Sequence, residues 1–495
     1  MTNEKNKDEK QVEEAKLSAP TPELKDEIVS TDHEIIVQGQ ALHYTATTGI
    51  MVMKDEAGKA KSKIFFIAYT QKDVADVSIR PLTVSFNGGP GSSSVWLHLG
   101  LLGPKRVLSG DVDQILQPPY RLTDNEYTLL QASDLVFIDP VSTGYSRPAP
   151  GEEAKQFHGL EQDIESVGEF IRLYITRYQR WNSPKFLIGE SYGTTRAAGL
   201  AGYLQDRHGM YLNGLMLVSV ILNFQTARFN LGNDLPFILF LPTYAATAFY
   251  HHKVALQEGQ DLEAFLAEVV QFAQHEYTLA LMKGDQLPAA ERNQIVTQLA
   301  AYTGLSERYI EQTNLRIHIH RFVKELLRTD RRTVGRLDTR FKGIDRDAAG
   351  EHFEHDPSYS AIQGSYTATI NDYVRRDLGF VSDLPYEILG NLYTQWDYSK
   401  HQNQYVNVAE TLRNAMSKNP FLHVLVANGY YDLATPYFAT EYTMNHLELD
   451  PTLRNNMVMT YYEAGHMMYV HEPSLAQLSQ DLLNFVRTST SPQSA

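Results

Sequence analysis

The chain has 495 residues, of which 43% are hydrophobic and 21% charged, enough to bury a large core in one big domain or two smaller ones. Its formal net charge of −15 argues against nucleic acid or an anionic membrane surface as a partner. The sequence has no cysteine, which excludes disulfides, thiolate catalysis and Cys-type zinc or iron–sulfur sites but leaves the redox compartment open.

The N-terminal residues 1–27 are highly charged and lack the apolar core of a signal peptide, so they predict a disordered tail. The most apolar run, Leu235–Tyr250, is too short to span a bilayer and contains two prolines. We therefore expect no membrane span and a soluble chain that, as written, is cytoplasmic. The oligomeric state is not predicted.

Three alternating runs follow the tail, and turn-forming segments separate them, so they predict antiparallel strands. Short apolar runs typical of buried strands come next, at Leu82–Phe86, Leu135–Asp139, Lys185–Ile188 and Gly214–Val220. Helical periodicity between the second and third of these runs predicts a crossover helix. Strands that alternate with helices predict a mostly parallel sheet covered on both faces.

The alternation then breaks, because residues from about Asn223 to about Gln395 are aromatic and helical with no clear buried strand. Two apolar strands return at His423–Ala427 and Asn456–Tyr462, and a last helix follows. The simplest interpretation is an α/β core, residues 28–222 and 396–495, interrupted by a helical insertion at 223–395. Such an insertion would cap the C-terminal ends of the strands, where ligands bind in α/β folds.

The motif "GESYG", Gly189–Gly193, lies between a predicted strand and a predicted helix, the context in which Gly-x-Ser-x-Gly forms a nucleophile elbow. Ser191 is therefore the candidate nucleophile. It needs a base and an acid that orients the base, in the chain order Ser, then Asp or Glu, then His. Asp432 and His466 each follow one of the last two strands, and Glu463 is the competing acid.

The glycine-rich loop "NGGPG" follows the strand Leu82–Phe86 and is the candidate source of an oxyanion-hole donor, the N–H of Gly89. The N–H of Tyr192, the residue after the candidate nucleophile, is the candidate for the second donor. The same glycines also suit an ordinary turn, so both interpretations of the loop stay open.

Five segments together resemble the signatures of the serine carboxypeptidases, in the order of that family: "NGGPGSSS", "IDPVSTGYS", "GESYG", "NGYYDLATP" and "GHMMYVHEP". The resemblance covers roughly Leu82 to the C-terminus, and other stretches look most similar to bacterial members. It implies an α/β-hydrolase fold with a large, mostly helical cap. It also implies a peptidase that needs no cofactor or metal and removes the C-terminal residue of peptides through Ser191, His466 and Asp432, favoured at acidic pH. An acyltransferase, esterase or lyase with the same triad, or a catalytically silent binding protein, stays open.

The resemblance also gives a role to Glu190, which the elbow geometry does not require. In serine carboxypeptidases the glutamate beside the nucleophile and the asparagine that opens the glycine loop bind the terminal carboxylate of the substrate. The matching residues here are Glu190 and Asn87. A protonated glutamate and an amide N–H can both donate hydrogen bonds to a carboxylate. Without the resemblance, a structural acid is the simpler interpretation of Glu190.

Three positions depart from the better-known eukaryotic members. Ser85 stands where they have tryptophan, Leu101 where they have a second glutamate, and Ser92 where they have cysteine. Two of the usual carboxylate-site residues are therefore missing, so the resemblance supports serine hydrolysis more strongly than strict exopeptidase action. His98 is either a substitute for these residues or a hydrogen-bonded packing histidine. The side-chain preference at the scissile bond is not predicted.

Three other features have both a functional and a structural interpretation. Residues Asp345–Asp356 are faintly similar to a calcium loop, but Ala349 stands at a ligand position, so we expect a solvated loop. His318 and His320 could bind a metal, although an Arg-rich helical stretch favours surface residues. Arg196 is expected to form a structural ion pair.

Overall fold

The structure, a computed structural model, describes residues 24–490. Of the tail predicted at residues 1–27, residues 1–23 lie outside the described residues, and the first strand begins at Glu27. Across residues 24–490, none of the helices combines the length and the apolar character that a membrane crossing needs.

The strands form one large sheet and two small two-stranded sheets. In chain order they are β1 (Glu27–Val37), β2 (Gln40–Lys54), β3 (Ala60–Gln71), β4 (Leu82–Phe86), β5 (Lys105–Val107), β6 (Leu122–Asp124), β7 (Asp134–Ile138), β8 (Arg147–Pro148), β9 (Lys185–Ser191), β10 (Gly214–Val220), β11 (Thr333–Val334), β12 (Lys342–Gly343), β13 (His423–Gly429) and β14 (Met457–Tyr462).

Most helices follow strands of the core or lie in the segment predicted as a cap. In chain order they are α1 (Val95–Leu97), α2 (Leu160–Arg177), α3 (Tyr192–His208), α4 (Leu235–Tyr250), α5 (Leu262–Phe272), α6 (Thr278–Lys283), α7 (Ala289–Thr303), α8 (Glu307–Gln312), α9 (Ile319–Glu325), α10 (Pro357–Arg376), α11 (Ala409–Lys418), α12 (Tyr437–Asn445) and α13 (Glu472–Thr490). A π-helical turn, His98–Leu102, continues α1.

The large sheet has the strand order β1-β2-β3-β7-β4-β9-β10-β13-β14, with β8 paired to β3. Strands β1, β2, β3 and β7 pair antiparallel to one another in turn. From β7 through β4, β9, β10 and β13 to β14, each neighbouring pair is parallel. The antiparallel start, the mostly parallel core and the α/β-hydrolase fold predicted from the sequence are confirmed.

The sheet separates two hydrophobic clusters, because successive side chains of a strand point to opposite faces. In β3, Phe65 and Ile67 belong to one cluster, whereas Ile64 and Phe66 belong to the other. Helix α13 packs in the first cluster, and helices α2 and α3 pack in the second. Helices therefore cover both faces of the sheet, as the alternating sequence pattern predicts.

The segment predicted as a cap, residues 223–395, contains α4 to α10 and the hairpin β11–β12. The short buried strand Thr333–Val334 is a correction to the sequence prediction of no clear buried strand there. Apolar residues of α4 to α9 form a third cluster that also includes Tyr431 and Tyr437 from the core. Helix α10 differs, because its Ile362 and Ile370 pack in the first cluster, against the sheet.

The candidate site residues come from loops at one edge of the sheet. Asn87 follows the end of β4, and Ser191 is the last residue of β9. Asp432 and His466 follow the ends of β13 and β14 within a few residues. Because these strands are parallel, their carboxyl ends meet at the same edge, and the fold brings all four residues together there.

At the end of the sheet opposite the candidate site, the buried carboxylate of Asp134, the first residue of β7, binds several segments. Its Oδ2 accepts a hydrogen bond from Arg180 Nη1 at 2.6 Å. Its Oδ1 accepts from Arg80 Nε at 3.1 Å and from the backbone N–H of Gln71 at 3.0 Å. This carboxylate therefore joins three segments around the amino-terminal end of the sheet.

We predict that Asp134→Asn lowers the free energy of unfolding by about 3 kcal/mol, because it leaves the buried Arg180 without its charge partner. Urea unfolding measures this loss. The matched control is Asp206→Asn, which breaks the exposed pair with Lys418 and should cost less than about 1 kcal/mol. Equal losses for the two variants would contradict the prediction.

Candidate active site

Ser191 lies in a strained turn between β9 and α3, with φ 61° and ψ −129°. Glycines make this turn possible, because a Cβ added to Gly189 would lie 2.1 Å from the carbonyl oxygen of Gly193. The strand–serine–helix context predicted from the sequence is present. The turn presents Ser191 at the edge where the parallel strands end.

Asp432 and His466 form a hydrogen-bonded pair, with Oδ2 of the acid 2.7 Å from Nδ1 of the imidazole. Both side chains are buried. The carboxylate is fixed by its own loop, because Oδ1 accepts from the N–H groups of Ala434 at 2.7 Å and Thr435 at 3.1 Å. The Thr435 hydroxyl donates to Oδ2 at 2.8 Å. With Nδ1 held by the acid, Nε2 is the ring nitrogen able to exchange a proton with a nucleophile.

The surroundings of His466 favour its charged form. Burial by itself lowers the pKa of the imidazole, but the charge and the hydrogen bond of Asp432, together with the charge of Glu190, outweigh it and raise the pKa. The competing acid, Glu463, is exposed, and Asp432 occupies the contact to Nδ1.

Neighbouring strands connect the loops of Ser191 and His466. Ser191 is in register with Val220 of β10. The hydroxyl of Ser219, one residue earlier, donates a 2.7 Å hydrogen bond to the carbonyl oxygen of His466. Strand β10 thus lies beside the elbow and also holds the backbone of the candidate base.

The glycine loop packs directly on the elbow. A Cβ added to Gly88 would lie 2.5 Å from the nitrogen of Tyr192 and 2.9 Å from Cβ of Ser191. Gly89 has φ +105°, a conformation open mainly to glycine. Within residues 24–490 its N–H has no hydrogen-bond acceptor. The N–H of Tyr192 belongs to the first turn of α3, where a helix offers no acceptor. Both predicted oxyanion donors are thus available, and their role stays a prediction.

A buried carboxyl group and the end of the predicted cap fix the glycine loop. Asp139 Oδ1 accepts from the N–H of Ser94 at 2.8 Å, and burial raises the pKa of this carboxyl to about 7. From the other side, the N–H of Gly390 donates to the carbonyl of Gly91 at 2.8 Å. The loop is therefore held between the sheet and the chain leaving the predicted cap.

Glu190 is buried beside the candidate nucleophile. Its Oε1 accepts from Asn87 Nδ2 at 2.9 Å, and its Oε2 accepts from the hydroxyl of Tyr469 at 2.7 Å. Burial raises the pKa of Glu190 to about 7, although the charge of His466 and these two hydrogen bonds oppose the shift. Sequence analysis missed Tyr469, yet the residue lies in the same quoted segment as His466, three positions later.

Arg196 forms the structural ion pair expected from the sequence. Its guanidinium donates to the buried Asp163 from Nε at 2.7 Å and from Nη2 at 3.2 Å. Nη1 donates to the carbonyl of Asn87 at 2.6 Å. The ion pair thus also fixes the backbone that carries the Asn87 amide.

The structure also places the residues at the three positions that bear on the carboxylate site, Ser85, Leu101 and His98. Ser85 and Leu101 are buried, and His98 is buried with its Nε2 2.7 Å from the hydroxyl of Tyr69. Burial lowers the pKa of His98 to about 3. A neutral, hydrogen-bonded ring supports the packing interpretation of His98.

Two expectations of surface residues were partly wrong. His318 is half-buried, because its Nδ1 accepts the N–H of His320 at the start of α9 and its ring packs on Phe229. In the loop Asp345–Asp356, Asp345 is buried and receives a 2.5 Å hydrogen bond from Lys324. Within residues 24–490, no group of three or more His, Cys, Asp or Glu side chains is placed to hold a metal ion.

A family model described as serine carboxypeptidase matches residues 39–486. The chain belongs to this family. Among curated proteins, serine carboxypeptidase-like 33 of Arabidopsis thaliana is 30% identical over 134 residues, which are 26% of this chain and 26% of that protein. The pheromone-processing carboxypeptidase KEX1 of Saccharomyces cerevisiae is 32% identical over 145 residues, 28% of this chain and 19% of that protein. These alignments span less than a third of either relative.

A solved structure of KEX1(delta)p, a prohormone-processing carboxypeptidase from Saccharomyces cerevisiae, is similar with a TM-score of 0.55 and 16% identity. The similarity covers 95% of this chain and 93% of that chain. At this identity the likeness shows a shared fold. Serine carboxypeptidase membership and the α/β-hydrolase fold thus agree with the expectations from the quoted motifs.

We predict that Gly88→Ala lowers the rate of labelling by a fluorophosphonate about 100-fold, because the new methyl group would displace the backbone beside Tyr192 and the oxyanion donors with it. The rate constant of fluorophosphonate labelling measures this loss. The matched control is Gly151→Ala, which has positive φ but nothing within 4 Å of the added Cβ. Its labelling rate should equal that of the wild type. Unchanged labelling of the Gly88 variant would mean that the loop is only a turn.

Proposed function

We propose that this member of the serine carboxypeptidase family hydrolyses the C-terminal peptide bond of peptides. The observation that carries the proposal is the buried, hydrogen-bonded pair of Glu190 and Asn87 next to Ser191, in a site that also holds the Asp432–His466 pair. A serine hydrolase needs only the second pair. A carboxyl group with a raised pKa beside the nucleophile suits an enzyme that binds a terminal carboxylate.

The proposed reaction has two halves. Ser191 Oγ attacks the scissile carbonyl while His466 Nε2 accepts the hydroxyl proton, and Asp432 stabilises the imidazolium. The N–H groups of Gly89 and Tyr192 donate to the oxyanion. His466 then gives the proton to the nitrogen of the leaving amino acid, which leaves an acyl-enzyme on Ser191. In the second half, His466 accepts a proton from water while the water oxygen attacks the acyl carbonyl. The bond from the acyl carbon to Ser191 Oγ then breaks, His466 returns the proton to Oγ, and the shortened peptide leaves.

Glu190 and Asn87 are the proposed carboxylate ligands. Protonated Glu190 donates one hydrogen bond to the terminal carboxylate, and Asn87 donates another through its amide. The contacts of Oε1 with Asn87 and of Oε2 with Tyr469 support this role, because they fix the orientation of the carboxyl group beside Ser191. The substitutions at Ser85 and Leu101 remove the usual further ligands, so binding depends on fewer donors than in the better-known members.

These two substitutions favour one alternative, an acyltransferase, esterase or lyase with the same triad. We also propose that peptides are the partners of this chain and that it is most similar to bacterial members of the family. The proposed division between core and cap lies at residues 223 and 395. A blocked dipeptide and its C-terminal amide distinguish the two functions. A carboxypeptidase cleaves the free acid far faster than the amide, whereas an enzyme without a carboxylate site does not.

We predict that Ser191→Ala reduces hydrolysis of a blocked dipeptide by about 10⁴- to 10⁶-fold without loss of stability, because it removes the nucleophile. Steady-state kinetics and thermal melting measure the two quantities. The control Ser417→Ala changes an exposed serine of α11 and should leave the rate unchanged. Activity of the Ser191 variant within tenfold of the wild type would disprove the nucleophile assignment.

A second prediction concerns Glu190, whose pKa is raised to about 7. Below this pKa the group is protonated and donates to the substrate, and above it the carboxylate repels the substrate. KM for a free-acid dipeptide should therefore be flat at acidic pH and rise through neutral pH by up to about tenfold per unit. Glu190→Gln should flatten this rise, because an amide donates at any pH. KM against pH for both enzymes tests the prediction.

The amide of the same dipeptide is the control substrate for Glu190. Its KM should not rise with pH in either enzyme. At low pH, protonation of His466, whose pKa is raised, should lower kcat for both substrates. Hydrolysis of the free acid should therefore peak between the titration of His466 and that of Glu190. Parallel KM profiles of wild type and variant on the free acid would assign Glu190 a structural role.

A further inference from the structure

A segment of the predicted cap, residues 335–341, lies against the loop that carries the candidate acid. We call this segment the strap; it connects β11 to β12. The N–H of Leu433 donates to the carbonyl of Arg336 at 3.1 Å, and the N–H of Thr339 donates to the carbonyl of Tyr431 at 3.1 Å. Tyr431 and Leu433 are the two neighbours of the candidate acid. The strap therefore holds the acid loop on both sides of the carboxylate.

The same strap holds the loop of the candidate base. The N–H of His466 donates to the carbonyl of Leu337 at 2.6 Å. Gly465 is packed so tightly against the strap that an added Cβ would lie 2.4 Å from Cβ of Asp338 and 2.5 Å from the carbonyl oxygen of Leu337. Because β14 ends at Tyr462, strand pairing does not reach this backbone, and the strap adds a second constraint to the bond between Ser219 of β10 and the His466 carbonyl.

A buried ion pair within the strap completes the contact. Arg340 donates to Asp338 from Nε at 3.0 Å and from Nη2 at 2.7 Å. Arg340 Nη1 also donates to the carbonyl of Glu463 at 2.6 Å, and Asp338 Oδ2 accepts from the N–H of Gly465 at 3.2 Å. The pair therefore binds the backbone of Glu463 and of Gly465, at the two ends of the turn that precedes His466.

The strap is in turn fixed to a helix that packs on the sheet. Asp356, which caps the start of α10, accepts from the N–H groups of Arg336 at 3.1 Å and Leu337 at 3.2 Å. The hydroxyl of Ser358 accepts from the N–H of Asp338 at 3.2 Å. Since α10 packs its apolar face in the first cluster, it connects the strap to the core. The strap also contacts α4 of the third cluster, because the Thr247 hydroxyl donates to the Thr339 hydroxyl at 2.8 Å.

We propose that the strap aligns the candidate base with the candidate acid, and that Asp338 and Arg340 are positioning residues for the reaction. This inference rests on the function proposed above. Neither side chain touches the reacting atoms in that reaction; each acts through the backbone that carries His466. A displacement of a catalytic group by 1 Å can lower the rate about 100-fold. Loss of the Asp338–Arg340 pair should therefore lower kcat more than it changes KM.

Two variants test the pair. Asp338→Asn removes its charge and should lower kcat by at least about tenfold, with KM within about twofold. Because this change leaves Arg340 buried without a charge partner, the protein can also lose stability. The double variant Asp338→Asn/Arg340→Gln removes both charges, so it avoids the unpaired cation and should still show the loss of kcat. Both are assayed well below their melting temperatures, on the full chain.

A conservative change separates positioning from charge. Arg340→Lys keeps a cation beside Asp338, but an ammonium lacks the planar fork that bonds the carboxylate and the Glu463 carbonyl at once. Its kcat should fall between those of the wild type and the double variant. A kcat equal to that of the wild type would mean that charge alone matters, which would overturn the positioning role of the bridge to Glu463.

The matched control is Asp134→Asn, which breaks a buried Asp–Arg pair at the opposite edge of the sheet. It should lose stability and keep wild-type kcat. A similar fall of kcat in this control would show a general effect of destabilisation and overturn the proposal. Wild-type kcat in the Asp338 and Arg340 variants, together with an inactive Ser191→Ala variant, would refute the positioning role of the strap. The proposed function would then still hold. A fully active Ser191→Ala would instead refute the proposed function.

Discussion

The alignment of the site rests on the 2.7 Å hydrogen bond between Asp432 and His466, which several separate segments of the chain hold in place. Its two partners lie on separate loops, each a few residues beyond the end of a parallel strand. Strand pairing brings those loops to the same end of the sheet but stops before either residue. Hydrogen bonds from Ser219 in the sheet and from the strap in the predicted cap supply the remaining constraint.

The predicted cap therefore has two relations to the core. Helices α4 to α9 have a cluster of their own, which suits a body that covers the site. Helix α10 packs against the sheet, and the strap is bonded to both loops of the Asp432–His466 pair and to Thr247 of α4. Residues near Gly390, at the far end of the same segment, hold the glycine loop. An insertion in sequence thus contributes to the alignment of the site in the proposed reaction.

Burial sets the electrostatics of the site. Glu190 and His466 both lose water, and burial favours the neutral form of each. The adjacent Asp432 outweighs burial for the imidazole, so the pKa of His466 rises. For Glu190, burial outweighs the charge of His466 and two hydrogen bonds, and its pKa rises to about 7. The charge of each group also shifts the pKa of the other, which couples carboxylate binding to the general base in the proposed reaction.

The amino-acid sequence by itself predicted most strands of the large sheet, the crossover helix, the elbow at Ser191 and the candidates Asp432 and His466. The resemblance to serine carboxypeptidases added Asn87 and Glu190 as candidates. The sequence could do so because local periodicity and short motifs depend on residues close together in the chain. Five motifs in family order also indicated the serine carboxypeptidase family, to which the chain belongs.

Only the tertiary structure decided which distant residues support those candidates. Tyr469 contacts Glu190 across 279 positions, and Arg340 reaches Glu463 across 123. The tertiary structure also decided that His98 is a buried packing residue. It further decided that α10 packs against the sheet, although this helix lies in the segment predicted as a cap. The physical reason is that such contacts are made by backbone groups and side chains from separate elements. Their meeting depends on how the elements pack, which no local pattern records.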